Sequence, residues 1–120
     1  MSQQQWTAVC EETDLLANGG VAVLHGERQL ALFYVPQQQK VFALDNFDPV
    51  MRAQVMARGL VGNQGEQWYV ASPLLKQRYC LHSGQGLDDQ TTSLVSWPAR
   101  CIDGVVEVAL ASADRAFSYA

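Results

Sequence analysis

Val21-Ala22-Val23-Leu24-His25-Gly26-Glu27-Arg28-Gln29-Leu30-Ala31-Leu32-Phe33-Tyr34-Val35-Pro36-Gln37-Gln38-Gln39-Lys40-Val41-Phe42-Ala43-Leu44 holds three short apolar runs parted by two turn signals. Residues 21–24, 30–35 and 40–44 carry the β-branched and aromatic side chains that suit strands. His25-Gly26-Glu27-Arg28 makes the first turn, and the Gln run after Pro36 makes the second. Short strands at this spacing predict an all-β antiparallel sandwich or barrel rather than alternating β and α units.

The same punctuation continues outward. Residues 6–10 alternate loosely and end at an acidic loop, and Asn18-Gly19-Gly20 reads as a turn. Further strands are expected at 68–71, 78–82, 94–97, 100–102 and 105–110. Turns fall at Asn63-Gln64-Gly65-Glu66 and Ser83-Gly84-Gln85-Gly86, and Asp103-Gly104 suits a type I′ hairpin. One segment differs. After Asp48-Pro49, the residues Val50, Val55, Met56 and Leu60 recur at near-helical spacing, and Gly59 is placed to stop them. That predicts one short helical turn near residues 50–58. The 120 residues amount to a single domain, 1–110, and a patternless tail, 111–120, expected to fray.

Composition narrows the function classes. Apolar residues make up 48%, which fits a packed domain and not a disordered chain. The net charge of −4 disfavours nucleic acid, whose binding rests on neutralising phosphates. Charge is uneven: −4 over residues 1–27, +3 over 28–78 and −3 over 79–120. The basic middle is either a set of scattered solvated charges or a docking surface. No apolar run approaches the ~20 residues of a membrane helix, so no membrane partner is expected. Met1 to Gln5 lacks the basic and apolar segments of a secretory signal. Three Cys, odd and sparse, argue against a disulfide framework and for free thiols in a reducing cytoplasm.

Three Cys and two His allow at most one four-ligand metal site. Cys80-Leu81-His82 is the candidate pair, because residues two apart on a strand share a face. A Rieske-type iron–sulfur centre needs a Cys-x-His and a Cys-x-x-His, but Cys101-Ile102-Asp103-Gly104 puts a glycine at the last position. A zinc site from Cys80, His82, Cys101 and a remote ligand stays open by counting alone. The plainer reading is a small buried Cys and a surface His. Cys10, Cys80 and Cys101 sit in apolar contexts that suit inert core filling better than nucleophilic catalysis. No Gly-x-Ser-x-Gly elbow or phosphate-cradling Gly loop occurs, and Asp88-Asp89 reads as solvated turn residues. Trp6, Trp68 and Trp97 lie on separate strands and form no base-stacking array. No catalytic residue is expected on this chain.

Two stretches carry a resemblance. Val41-Phe42-Ala43-Leu44-Asp45-Asn46-Phe47-Asp48-Pro49-Val50 resembles the first cluster-binding loop of Rieske ferredoxins, where Cys-Pro-His follows a strand. Val70-Ala71-Ser72-Pro73-Leu74-Leu75-Lys76-Gln77-Arg78-Tyr79 resembles the second, where the pattern is Cys-Pro-x-His. The prolines match and the ligands do not. Asp48 and Val50 replace the first Cys and His, and Ser72 and Leu75 replace the second pair.

The runs Asp45-Asn46-Phe47-Asp48-Pro49, Arg58-Gly59-Leu60-Val61-Gly62 and Ala71-Ser72-Pro73-Leu74-Leu75-Lys76-Gln77 together are similar to the small subunit of the cytoplasmic NADH-dependent assimilatory nitrite reductase. The resemblance spans roughly residues 5–110. It implies a Rieske-like domain without a cluster and without cofactors of its own. It implies a large-subunit partner that carries flavin, a [4Fe–4S] cluster and sirohaem and reduces nitrite to ammonium with NADH or NADPH. The role left for this chain is docking. Pro49, Val50, Pro73 and Leu75 would form an apolar centre, and Arg52, Arg58, Lys76 and Arg78 a cationic rim. The competing expectation is a stand-alone metal-binding or Rieske-ferredoxin-like electron-transfer protein that uses Cys80 and His82.

Overall fold

A computed structural model describes residues 5–74 and 76–110. Its strands are β1 (Trp6–Glu11), β2 (Gly19–His25), β3 (Arg28–Val35), β4 (Lys40–Asp45), β5 (Phe47–Asp48), β6 (Ala53–Gln54), β7 (Leu60–Gln64), β8 (Gln67–Ala71), β9 (Arg78–Cys80), β10 (Ser96–Trp97), β11 (Ala99–Ile102) and β12 (Val105–Ala109). The central sheet has the order β10-β4-β3-β2, flanked by β1-β12-β11 and β7-β8-β9. All pairings between these strands are antiparallel, as the short strands and tight turns of the sequence require.

β3 explains the layering. Its apolar run is continuous, so it buries both faces. Ala31, Phe33 and Val35 pack with Leu44, Met56, Val70, Tyr79 and Leu81 on one side. Leu30 and Leu32 pack with Trp97, Val106, Val108 and Leu110 on the other. The central sheet therefore sits between two cores, and its two long hairpin partners, β2 and β4, are fixed in register by that double burial.

The all-β reading holds, with three local differences. The helical turn near 50–58 shrinks to one 3-10 turn at Met56–Arg58, because the chain first turns at residues 49–52 and then pairs β6 with β5. The apolar spacing there comes from one buried side chain, Met56, and exposed Val50 and Leu60, not from a helical face. β7 was hidden in that false period; its Leu60, at the edge of its sheet, is 73% exposed. Gly19 and Gly20 lie inside β2 instead of forming a turn. A Cβ on Gly20 would stand 2.5 Å from the Ala57 carbonyl oxygen and 2.6 Å from the Phe33 ring, so glycine lets the 3-10 turn press onto the sheet. Asp103 and Gly104 both have positive φ, 53° and 81°, as a type I′ turn demands. The expected tail at 111–120 lies outside the described residues.

Candidate functional site

Two loops reach one tip: residues 46–59 after β4, and 72–77 between β8 and β9. Buried polar side chains anchor the first. Asp45 accepts a hydrogen bond from Trp97 Nε1 at 3.0 Å, which ties the end of β4 to β10. Asn46 works on both sides. Its Oδ1 accepts from the Ala57 amide at 2.7 Å, and its Nδ2 donates to Gln29 Oε1 at 3.2 Å. Its backbone N–H donates to the Gln29 carbonyl and its carbonyl accepts from Met56 N–H. The Asp-Asn pair thus clamps the 3-10 turn to β3. Buried polar groups are tolerated when they are satisfied in this way.

The loops then repeat one design. Asp48 and Ser72 each precede a proline, and each carbonyl accepts from the amide four residues on: Arg52 at 2.6 Å and Lys76 at 3.0 Å. Each side chain also caps its own turn. Asp48 Oδ1 accepts from the amides of Val50 at 2.9 Å and Met51 at 3.2 Å. Ser72 Oγ accepts from the Leu74 amide at 3.4 Å. The fourth residue in each turn is left-handed, with φ of 58° at Arg52 and 62° at Lys76. The two turns are joined directly: Ser72 Oγ donates to Asp48 Oδ2 at 2.5 Å, with both residues buried.

That donor set can be tested against the cluster the fold suggests. A Rieske centre takes two thiolates on one iron and two imidazoles on the other. Asp48 and Ser72 offer oxygens already bonded to each other and to loop amides, and Val50 has no donor atom. Among the described residues no three His, Cys, Asp or Glu side chains are grouped to hold a metal. Leu75, the fourth position, lies outside the described residues and is aliphatic. The residues present do not fit a [2Fe–2S] cluster, and no redox step is assigned to them.

The tip's outer surface is apolar and cationic. Val50, Met51 and Leu74 are 37%, 38% and 50% exposed, and Arg52, Arg58 and Lys76 are exposed as well. Pro49 and Pro73 are half-buried beneath them. Met51 and Leu74 are not among the tip residues expected from the sequence. Their signal was available: each sits between the loop proline and the left-handed cation. Arg78 has another task. Its backbone and guanidinium bond both carboxylate oxygens of Asp88, at 2.8 to 3.2 Å, and the guanidinium lies over the Tyr69 ring. It clamps β9 to the following loop, and Asp88 is ion-paired rather than simply solvated.

The Cys80–His82 pair is not a shared strand face. β9 ends at Cys80, and His82 lies exposed in the next turn with its ring edge-to-face on Phe42 at 6.4 Å. Burial pushes the Cys80 thiol up. Hydrogen bonds from the Ser83 hydroxyl and amide, the His82 amide and the Gln67 side chain together bring it below the ordinary thiol value. Cys10 is half-buried and Cys101 is exposed on the edge strand β11, so Cys101 is not the core filler expected of it.

Comparison with known proteins agrees with this geometry. A family described as Rieske-like [2Fe-2S] domain matches residues 5–109. The nitrite reductase (NADH) small subunit of Salmonella typhimurium is 43% identical over 105 residues, 87% of this chain and 96% of that one. The nitrite reductase [NAD(P)H] large subunit of Klebsiella oxytoca is 37% identical over 108 residues, 90% of this chain but 11% of that one. A crystal structure from Mycobacterium tuberculosis, provisionally described as an NADH-dependent nitrite reductase small subunit, superposes with a TM-score of 0.82 at 39% identity, covering 89% of this chain and 96% of that one. The ferredoxin of carbazole 1,9a-dioxygenase from Nocardioides aromaticivorans shares the fold alone, at 14% identity and a TM-score of 0.73 over 88% of this chain and 97% of that one. The chain belongs to the Rieske-like [2Fe-2S] domain family and, within it, to the small subunits of NADH nitrite reductase.

Proposed function

We infer that this chain is the docking subunit of a cytoplasmic nitrite reductase that draws on NADH or NADPH. Its partner is the large subunit, which holds flavin, a [4Fe–4S] cluster and sirohaem and carries out the reduction of nitrite to ammonium. Multi-electron chemistry of that kind belongs to cofactors, and this chain contributes binding. The observation that carries the reading is the tip itself. It keeps the two loops of a cluster-binding fold, replaces their ligands with an Asp48–Ser72 hydrogen bond, and turns an apolar and cationic surface outward. An apolar centre with a charged rim is the anatomy of an interface. The Klebsiella oxytoca relative supports the choice of partner, because there a matching domain forms part of a chain named a large subunit. The contact residues are Pro49, Val50, Met51, Arg52, Arg58, Pro73, Leu74, Leu75, Lys76 and Arg78.

The test is nitrite-dependent oxidation of NADH by the purified large subunit, with and without this chain. The expected result is activity, or retention of activity over time, that depends on adding the chain. Equal activity and lifetime without it would remove the assignment. A metal-free, colourless preparation of the chain is expected in the same work; stoichiometric zinc would instead favour a stand-alone metal-binding protein that uses Cys80 and His82, and stoichiometric iron an electron-transfer one.

A further inference from the structure

The two left-handed cations are the least expected residues of the tip. A positive φ favours glycine, and Asn or Asp tolerate it better than other residues do. Among the described residues, the non-glycine positions with positive φ are Asn18, Gln39, Arg52, Lys76 and Asp103. The long cationic side chains in that set are both at the tip, in matching turn positions, four residues after the joined Asp48 and Ser72. Held backbone in a disfavoured conformation is a pointer to function when the surrounding structure enforces it, as the capped turns do here.

The surroundings carry one sign of charge. Residues 46–60 and 71–77 contain a single acid, Asp48, which is buried with both oxygens engaged. Arg52, Arg58 and Lys76 stand exposed beside it, in a chain whose net charge is −4. The molecule is therefore polarised, with a cationic tip on an acidic body. Such a field orients the tip toward an acidic surface during encounter.

Resting on the docking reading above, we propose that Arg52 and Lys76 form a two-point anchor for an acidic patch on the large subunit, with their spacing set by the Asp48–Ser72 link. Val50, Met51 and Leu74 fill the centre between the anchor points. Asp48 and Ser72 act as positioning residues, because they hold the turns and touch no partner.

The experiment titrates the purified, cofactor-loaded large subunit with this chain from about 50 to about 300 mM KCl, a range over which surface charge pairs are progressively screened. Wild-type affinity is expected to fall about tenfold or more across that range. Arg52→Glu with Lys76→Glu should weaken binding by about thirtyfold at low salt and flatten the salt dependence. Arg52→Gly with Lys76→Gly should also weaken binding about tenfold while the melting temperature holds or rises, since glycine suits the left-handed turn. Lys40→Glu, at an exposed cation that opens β4, should stay within about twofold of wild type. If the double charge reversal binds like wild type while Leu74→Asp abolishes binding, the tip docks without the anchor and this proposal falls alone. If neither change matters while wild type binds, the docking tip is also wrong. If wild type does not bind at all, the subunit reading fails first.

Discussion

At the tip, Asp48 and Ser72 meet at 2.5 Å inside a satisfied network, yet the positions around them include Val50, which can ligate nothing. At residues 80–82 a thiol and an imidazole lie two residues apart, yet the strand ends between them and the imidazole turns to Phe42. One region has a site's geometry without its donors; the other has donors without geometry. Chemistry-bearing residue types are therefore a poor guide here, and the built backbone is the better one. The tip is held by hydrogen bonds from both loops, which is what a surface needs if it must present one shape to a partner.

The comparison is broken most forcefully at Asp48. Asp48→Ala strands the Val50 and Met51 amides and the Ser72 hydroxyl, all of which now donate to it. The Ser72 hydroxyl is buried and the two amides are only part-buried. An unsatisfied buried donor costs about 1–3 kcal/mol and a part-exposed one less, so a total loss of about 3 kcal/mol is expected by urea unfolding. Ser72→Ala removes the smaller half of the link and should cost about 1–2 kcal/mol. A cost near zero for both would mean that the loops do not depend on their joint. The left-handed positions should move the other way. Arg52→Gly and Lys76→Gly each relieve a conformation unfavourable by about 1 kcal/mol, so stability should hold or rise. At the turn, His82→Ala loses one exposed edge contact, worth at most about 0.5 kcal/mol.

How much of this was legible beforehand follows from burial. β3 and β4 were plain in the sequence because both faces of β3 are covered and its apolar run is unbroken. The Asp-Pro and Ser-Pro loops were legible only through their resemblance to the two cluster-binding loops of Rieske ferredoxins, since local spacing alone pointed to a helical turn over 50–58. β7 was not, because Leu60 mimics a helical period while lying exposed on an edge strand. Nor was the work of Asn46, Arg78 or Gly20 legible. Their partners Gln29, Asp88 and Ala57 lie 10 to 37 positions away along the chain. Local pattern carries strands and turns, and it carries no information about which distant amide a buried side chain will meet.

The smallest effect sharpens the comparison furthest, because it asks what the Cys80–His82 pair does do. Cys80 is held below the ordinary thiol value even though burial, the largest influence, acts the other way. The hydrogen bonds that outweigh it come from the Ser83 hydroxyl and amide, the His82 amide and Gln67. Cys10 and Cys101 are both raised, first by burial and then by nearby acids, Asp14 for Cys10 and Glu12 for Cys101. Alkylation followed by mass spectrometry across a pH series should therefore show the Cys80 rate rising at lower pH than the other two. A lowered folded-state value favours the thiolate, so its stabilising contribution is present above the unfolded value and fades as pH falls through the folded one. Ser83→Ala should move the Cys80 profile upward. His82→Ala should leave it in place, because the histidine acts through its backbone amide and not its ring. If His82→Ala moved the profile as far as Ser83→Ala, the thiol and imidazole would be a working pair after all, and the contrast between the two regions would collapse.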